Sequence, residues 1–238
     1  MTRRLTIGWP DERLFAGRSG RPVRLLAVSD DIDPALERIE NQAALGRLDL
    51  VLGCGDLEPD YLAMLADVFC VPLQYVRGNH DSGVGWLEHR HVLPEPLRDG
   101  RFVRIAGIQL VGFSWPGRTS THERRDDGSA WSQAVHAVLG RLTHRGPTIV
   151  LSHAPPSGVG DDPDDPYHAG FAAYRWLAER LQPPLWLHGH TTMATADSWK
   201  SHLGGTTLAN VTGAVLVELV PGPDPPGRDG SAERATGA

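Results

Sequence analysis

Cysteine is scarce in this sequence, long apolar runs are missing, and charge of neither sign dominates; each shortage removes a class of protein. Two cysteines in 238 residues, Cys54 and Cys70, cannot build a disulfide framework. The composition therefore predicts reduced thiols and a cytoplasmic protein. Arg3 and Arg4 have no apolar stretch behind them, and nowhere does the chain approach the roughly 20 apolar residues of a membrane span. Neither a secretory signal nor a membrane helix is expected. The formal net charge of −6 is spread over interspersed acids and bases, which gives no extended nucleic-acid surface and no membrane-surface footprint. A small anionic substrate stays compatible with that balance, because a bound metal supplies positive charge locally.

What is present is a repeated plan of short apolar runs that stop abruptly at polar loops. Val23 to Val28 reads as a buried strand ending in Ser29-Asp30-Asp31. A helix is expected over Ala35 to Leu45, stopped by Gly46. Leu48 to Leu52 leads into Gly53-Cys54-Gly55-Asp56, with a helix over Pro59 to Phe69. Leu73 to Val76 ends in Arg77-Gly78-Asn79-His80-Asp81. This β-α-β-α-β rhythm predicts a parallel sheet. Phe102 to Ile105 and Ile108 to Phe113 flank Ala106-Gly107 as an antiparallel hairpin. A helix over Ser129 to Leu142 follows, then a strand over Thr148 to Leu151 that ends in Ser152-His153. After a Gly/Pro/Asp-rich loop and a helix from about Ala169 to Leu181, Leu185 to Leu187 runs into His188-Gly189-His190. Final strands are expected at Ala194 to Trp199, Thr206 to Val211 and Val215 to Val220. The domain is placed at 23–220, with 1–22 as an N-terminal extension and 221–238 as a disordered Pro/Gly-rich tail.

The chemistry-bearing residues of these strand ends are Asp30, Asp56, Asn79, His80, Asp81, His153 and His190. In open α/β sheets, ligands bind beyond the carboxyl ends of the strands, and neighbouring strands about 4.8 Å apart bring such groups onto one ion. Carboxylate, amide oxygen and imidazole together suit manganese, iron or zinc. Singly, each residue has an ordinary explanation as a turn former or helix cap. Their joint order, with glycine beside several of them, does not.

These blocks resemble those of the calcineurin-like metallophosphoesterases: Asp-x-His, Gly-Asp, Gly-Asn-His-Asp/Glu, a strand-terminal His, and Gly-His-x-His. Gly55-Asp56, Gly78-Asn79-His80-Asp81, Ser152-His153 and Gly189-His190 match, over roughly Val23 to Val220. The resemblance implies an α/β fold, a four-layer α/β/β/α sandwich of two mixed β-sheets flanked by helices, and a two-metal centre that hydrolyses phosphate esters. It implies that Asp56 bridges both ions, that Asn79, His153 and His190 hold the second, and that His80, oriented by Asp81, is the proton donor. Two departures fall on the first ion. Asp30-Asp31-Ile32 stands for Asp-x-His, and Gly189-His190-Thr191-Thr192 for Gly-His-x-His. Both missing histidines serve that ion, which leaves it Asp30 and the shared Asp56. One ion firmly held and a second weak or absent is the expectation. His122, His168 and His202 are the candidates to stand in, while His188 is expected on the other side of its strand. The function expected is hydrolysis of a small-molecule phosphate monoester or diester. The alternative is a catalytically impaired module that binds metal or nucleotide. Tyr167, His168 and Trp115 are further candidates for substrate contact. The acidic run Asp161 to Pro166 is expected to disfavour highly anionic substrates.

Overall fold

A computed structural model of the chain describes residues 2–117, 125–191 and 198–222. Strand alternation sorts its side chains into three cores. In β2 (Val23–Ser29), Val23, Leu25 and Ala27 face one way, and Leu26 and Val28 the other. The same period of two divides β3 (Leu50–Gly53), β7 (Thr148–Ser152), β8 (Leu185–His188) and β11 (Gly213–Pro221). The inward sets, such as Leu50, Leu52, Ile149, Leu151, Leu185, Leu187, Val215 and Val217, meet in one central core.

The first sheet runs β1 (Arg3–Trp9), β11, β2, β3 and β4 (Leu73–Tyr75), with β2, β3 and β4 parallel and β11 antiparallel to β2. The second runs β5 (Phe102–Ile105), β6 (Ile108–Phe113), β7, β8, β10 (Thr206–Asn210) and β9 (Lys200–Leu203). Here β6, β7, β8 and β10 are parallel, and β5 pairs antiparallel with β6 as the hairpin expected from Ala106-Gly107. Outside the first sheet, α1 (Ile39–Leu45), α2 (Pro59–Phe69) and α3 (Val84–His89) cover Leu26, Val51, Leu73 and Leu216. Outside the second, α4 (Asp127–Gly140) and α5 (Ala172–Leu181) cover Phe113, Val150 and Trp186. The fold is the expected four-layer α/β/β/α sandwich.

Several boundaries differ from the sequence reading. Residues 3–9, expected in an extension, form edge strand β1, where Leu5, Ile7 and Trp9 alternate into the central core and pair parallel with β11. The helix expected over Ala35 to Leu45 is split: a 3₁₀ turn at Pro34–Glu37, an extended Arg38, then α1. Helix α4 starts two residues before Ser129 because the Asp126 side chain accepts the Ser129 N–H and caps it there. Residues 194–197 of the expected strand at Ala194 to Trp199 lie outside the described residues, as do 223–238 of the tail. Strand β9 begins at Lys200.

Trp186 is fully buried under α4 and α5, its ring beside Phe113 and Tyr174 and its Nε1–H donated to Ser152 Oγ at 2.8 Å. Trp186→Ala removes that packing and one donor to the hydroxyl, which keeps its own bond to the Ala154 carbonyl; urea unfolding should show a loss of about 3–5 kcal/mol.

Candidate metal centre

The carboxyl ends of both sheets meet along one polar seam. From the first sheet come Asp30 after β2, Asp56 after β3, and Asn79 to Asp81 after β4; from the second come His153 after β7 and His190 after β8. Asp30, Asp56 and His190 hold left-handed backbones, φ 58°, 56° and 67°. That conformation costs a non-glycine residue roughly 1 kcal/mol or more, and here it turns each strand sharply so that its polar side chain faces the seam. Close approach explains two neighbouring glycines. A Cβ at Gly78 would overlap Asp56 Oδ1, and one at Gly189 would overlap Ser29 Oγ and Asp30 Oδ2.

His153 is the centre of the arrangement, fully buried. Its Nδ1 lies 2.8 Å from the Cys54 carbonyl oxygen, so Nδ1 carries a proton and donates. Its Nε2 faces two further oxygens, Asn79 Oδ1 at 2.8 Å and Asp56 Oδ2 at 3.1 Å. Ligand atoms of Asp30, Asp56 and His153 all lie within 4.8 Å of one another. A lone-pair nitrogen converging on oxygen acceptors needs a positive charge between them. Without a metal, a proton on Nε2 fills that need: burial opposes the charge, yet the Asp56 carboxylate pushes His153 up to about 9. Burial likewise opposes ionisation of Asp56, but His153 holds its carboxyl below the ordinary value. Carboxylate, amide oxygen and imidazole lone pair together fit a borderline divalent cation.

His190 lies alongside, its ring centre 4.9 Å from that of His153. Its Nε2–H donates to the Tyr167 carbonyl at 2.9 Å, which leaves Nδ1 with the lone pair. Burial and the neighbouring His153 press its pKa down to about 3, so the ring is neutral. Both oxygens of Asp30 accept the His190 backbone N–H, at 3.1 and 3.0 Å, and Oδ2 also accepts the Thr212 hydroxyl at 3.1 Å. Ile32 is 43% exposed beyond this turn.

His80 projects outward, its side chain 60% exposed, with Nε2 at 4.0 Å from Asp56 Oδ2 and 3.2 Å from the Tyr167 hydroxyl. Its backbone N–H is fixed by Asp56 Oδ1 at 2.8 Å. Asp81 does not orient the His80 ring as the resemblance implies. Its Oδ2 accepts the backbone N–H groups of Gly78 at 2.7 Å and Asp56 at 2.9 Å. The chain turns Asp81 back under the loop, where it ties the β3 and β4 ends together and so positions Asp56 and Asn79. Burial, then the Asp56 charge, pushes its carboxyl up to about 6.

Tyr167 touches more of the seam than its sequence context foretold. Its hydroxyl accepts Asn79 Nδ2–H at 2.6 Å and neighbours His80, and its carbonyl takes His190. Only its place after the acidic run hinted at this. Thr212, in the turn between β10 and β11, carried no signal at all. Trp115 packs over the imidazoles, 4.7 Å from the His190 ring and 6.0 Å from that of His153. Of the stand-in histidines, His168 lies 5.3 Å from the His190 ring but gives Nδ1 to Asp165 at 2.5 Å. His202 sits on edge strand β9 against Thr207. His122 and Thr192 lie outside the described residues. His188 is buried, its Nδ1 3.1 Å from the Gly189 carbonyl, and burial lowers it to about 4.

A family model described as calcineurin-like phosphoesterase matches residues 27–193, the span that carries every residue of the seam except Thr212. No match is found among curated proteins. Among solved structures, TT1561 of Thermus thermophilus superposes with a TM-score of 0.55 at 17% identity, over 81% of this chain and 90% of that one. A putative 5′-nucleotidase from Staphylococcus aureus, in complex with α-ketoglutarate, gives 0.54 at 12% identity, over 84% of this chain but 54% of that one. At such identities these likenesses speak for the fold alone. Among the described residues no helix is long and apolar enough to cross a membrane.

Because Asp81 answers two backbone donors, Asp81→Ala should destabilise the chain by about 1–3 kcal/mol for each donor left buried. Asp81→Asn, which keeps one acceptor oxygen, should lose less. Chemical denaturation of the three proteins side by side reads the order; equal stability of Ala and wild type would refute the tie.

Proposed function

The chain belongs to the calcineurin-like phosphoesterase family, and on that premise we propose that it hydrolyses a small-molecule phosphate ester, monoester or diester, with one firmly held transition-metal ion. Asp56, Asn79, His153 and His190 would hold that ion; manganese, iron and zinc suit the set. The observation that carries this reading is the buried His153 Nε2, aimed between Asp56 Oδ2 and Asn79 Oδ1. A second ion would have only Asp30 and the shared Asp56, a weakened first position. Unpaired thiols at Cys54 and Cys70 support a cytoplasmic setting.

When bound, such a cation would polarise a phosphoryl oxygen and lower the pKa of a water toward about 7. The chain's own groups supply the rest. His80 is exposed at the rim, and its main chain is anchored to Asp56, so its imidazole can deliver a proton to the departing alkoxide without leaving the site. Tyr167 limits where that ring can swing: its hydroxyl accepts from Asn79 and lies 3.2 Å from His80 Nε2, where it can accept from the imidazole while that ring carries its proton. Asp81 acts through the backbone, as a positioning residue.

A second reading, a metal- or nucleotide-binding module with impaired catalysis, is favoured by Asp30. Its lone pairs already serve His190 and Thr212, and Ile32 beside it offers no ligand.

The test is hydrolysis of bis(4-nitrophenyl) phosphate and 4-nitrophenyl phosphate across a manganese titration, with His80→Ala beside wild type. Metal-dependent turnover that falls about 10²- to 10⁴-fold in the variant is expected of a general acid. No turnover from folded protein at any manganese concentration would leave the binding module. In either case manganese should raise the melting temperature, and it should do so much less in His153→Ala, because only the native site rewards the folded state.

A further inference from the structure

Beside the seam, on the Asn79 side, lies a cavity of about 450 Å³ that the proposed chemistry does not use. It opens where the ends of β4 and β6 are stitched together, Trp115 N–H to the Arg77 carbonyl at 2.8 Å and Arg77 N–H to Ser114 Oγ at 3.1 Å. Asn79 and Trp115 belong to its wall and to the seam at once. Its size is that of a small-molecule subsite.

The charges in that wall are unevenly committed. Asp81 accepts the Gly78 and Asp56 N–H groups, Asp99 accepts the Ser114 N–H at 2.8 Å, and Glu95 lies 3.9 Å from Arg90. The two guanidinium groups in the wall, Arg77 and Arg98, form no ion pair with a carboxylate among the described residues. Arg77 is held rather than loose: its guanidinium lies 5.1 Å from the face of Trp86, and that indole is pinned by donation to the Leu57 carbonyl at 3.1 Å. Its Nε is buried without an acceptor, as is Trp115 Nε1. Those two atoms are closed to a ligand, so an anion would meet the terminal nitrogens of Arg77, for which no protein acceptor is found among the described residues. A guanidinium held this way, next to the proposed phosphoryl site, is a receptor for an oxyanion. None of the acidic residues of the 161–165 run lines this cavity, and Asp161 and Asp165 are spent on Gly170, His168 and the Tyr167 N–H.

We propose that this cavity is a subsite for a second anionic group of the substrate, a phosphate or carboxylate, held by Arg77 and Arg98. The inference rests on the phosphoesterase reading, and it selects substrates that carry an oxyanion besides the scissile phosphate.

The test compares phenyl phosphate with ring-substituted analogues bearing a carboxylate or a non-hydrolysable phosphonate, using manganese-loaded protein. Wild type should favour a charged analogue by about 10-fold or more in kcat/KM, mostly through KM, the scale of a charge-assisted hydrogen bond. Which analogue gains more identifies the oxyanion. The preference should collapse toward one in Arg77→Met/Arg98→Met. It should fall partway in Arg98→Met, an exposed position whose change leaves folding intact, and in Arg77→Lys, which keeps charge without the fork. No preference in wild type, or a preference that survives the double replacement, overturns the subsite. If nothing is hydrolysed, phenylphosphonate and its carboxylated analogue are compared by calorimetry. Arginine-dependent tighter binding of the charged one then supports the subsite while the hydrolytic reading fails, and equal affinity overturns both.

Discussion

The molecule depends on two sheets packed face to face whose carboxyl ends lie close enough for one strand's backbone to bond the other sheet's side chain across the gap. Asp30 of the first sheet takes the His190 N–H of the second, and His153 of the second gives its Nδ1 proton to the Cys54 carbonyl of the first. The apolar core alone would permit the sheets to slide, since side chains such as Leu25, Leu52, Leu151 and Leu187 offer area without direction. The polar seam fixes the register. It requires left-handed turns at Asp30, Asp56 and His190, and it admits no side chain at positions 78 and 189. The left-handed backbones at Asp30, Asp56 and His190 are the local cost of that seam, and the well-packed strands behind it offset them.

That geometry leaves a buried imidazole nitrogen of His153 facing two acceptor oxygens at 2.8 and 3.1 Å. Such a cluster is stable only if something positive sits in it. His153 supplies that charge when protonated, and a metal ion would displace the proton. The seam is thus built to be completed, and the interactions that hold it, chiefly Asp81 beneath the loops, are directed at backbone amides rather than at the reacting groups.

Most of this could be read from the sequence because it is local. A strand that stops at Gly-Asp or Gly-Asn-His-Asp reveals its ending in consecutive residues, and the β5–β6 hairpin reveals its turn. What escaped depends on partners far along the chain. Residues 3–9 alternate correctly for a strand, but only pairing with β11, more than two hundred residues later, makes them one. The resemblance assigned Asp81 to the His80 ring, and the chain turned it to amides at 56 and 78 instead. Tyr167 is a candidate for substrate contact from the sequence, but its bonds to Asn79 and His190 are not legible there, and Thr212 reaches the seam from a turn whose composition says nothing of where it folds.

The departure at Ile32 gains its meaning from the same seam. A carboxylate offers about four lone-pair directions, and Asp30 spends its nearest ones on the His190 amide and the Thr212 hydroxyl. In the reading proposed above, Asp30 has become more a cross-sheet tie than a ligand. Losing the imidazole at position 32 then removes a donor from a position already drawn into structural service. On that proposal, substrate binding would in turn lean on the one cation and on fixed positive groups of the chain. Arg77, held 5.1 Å from the Trp86 ring centre and one residue before the Gly78 contact, is such a group.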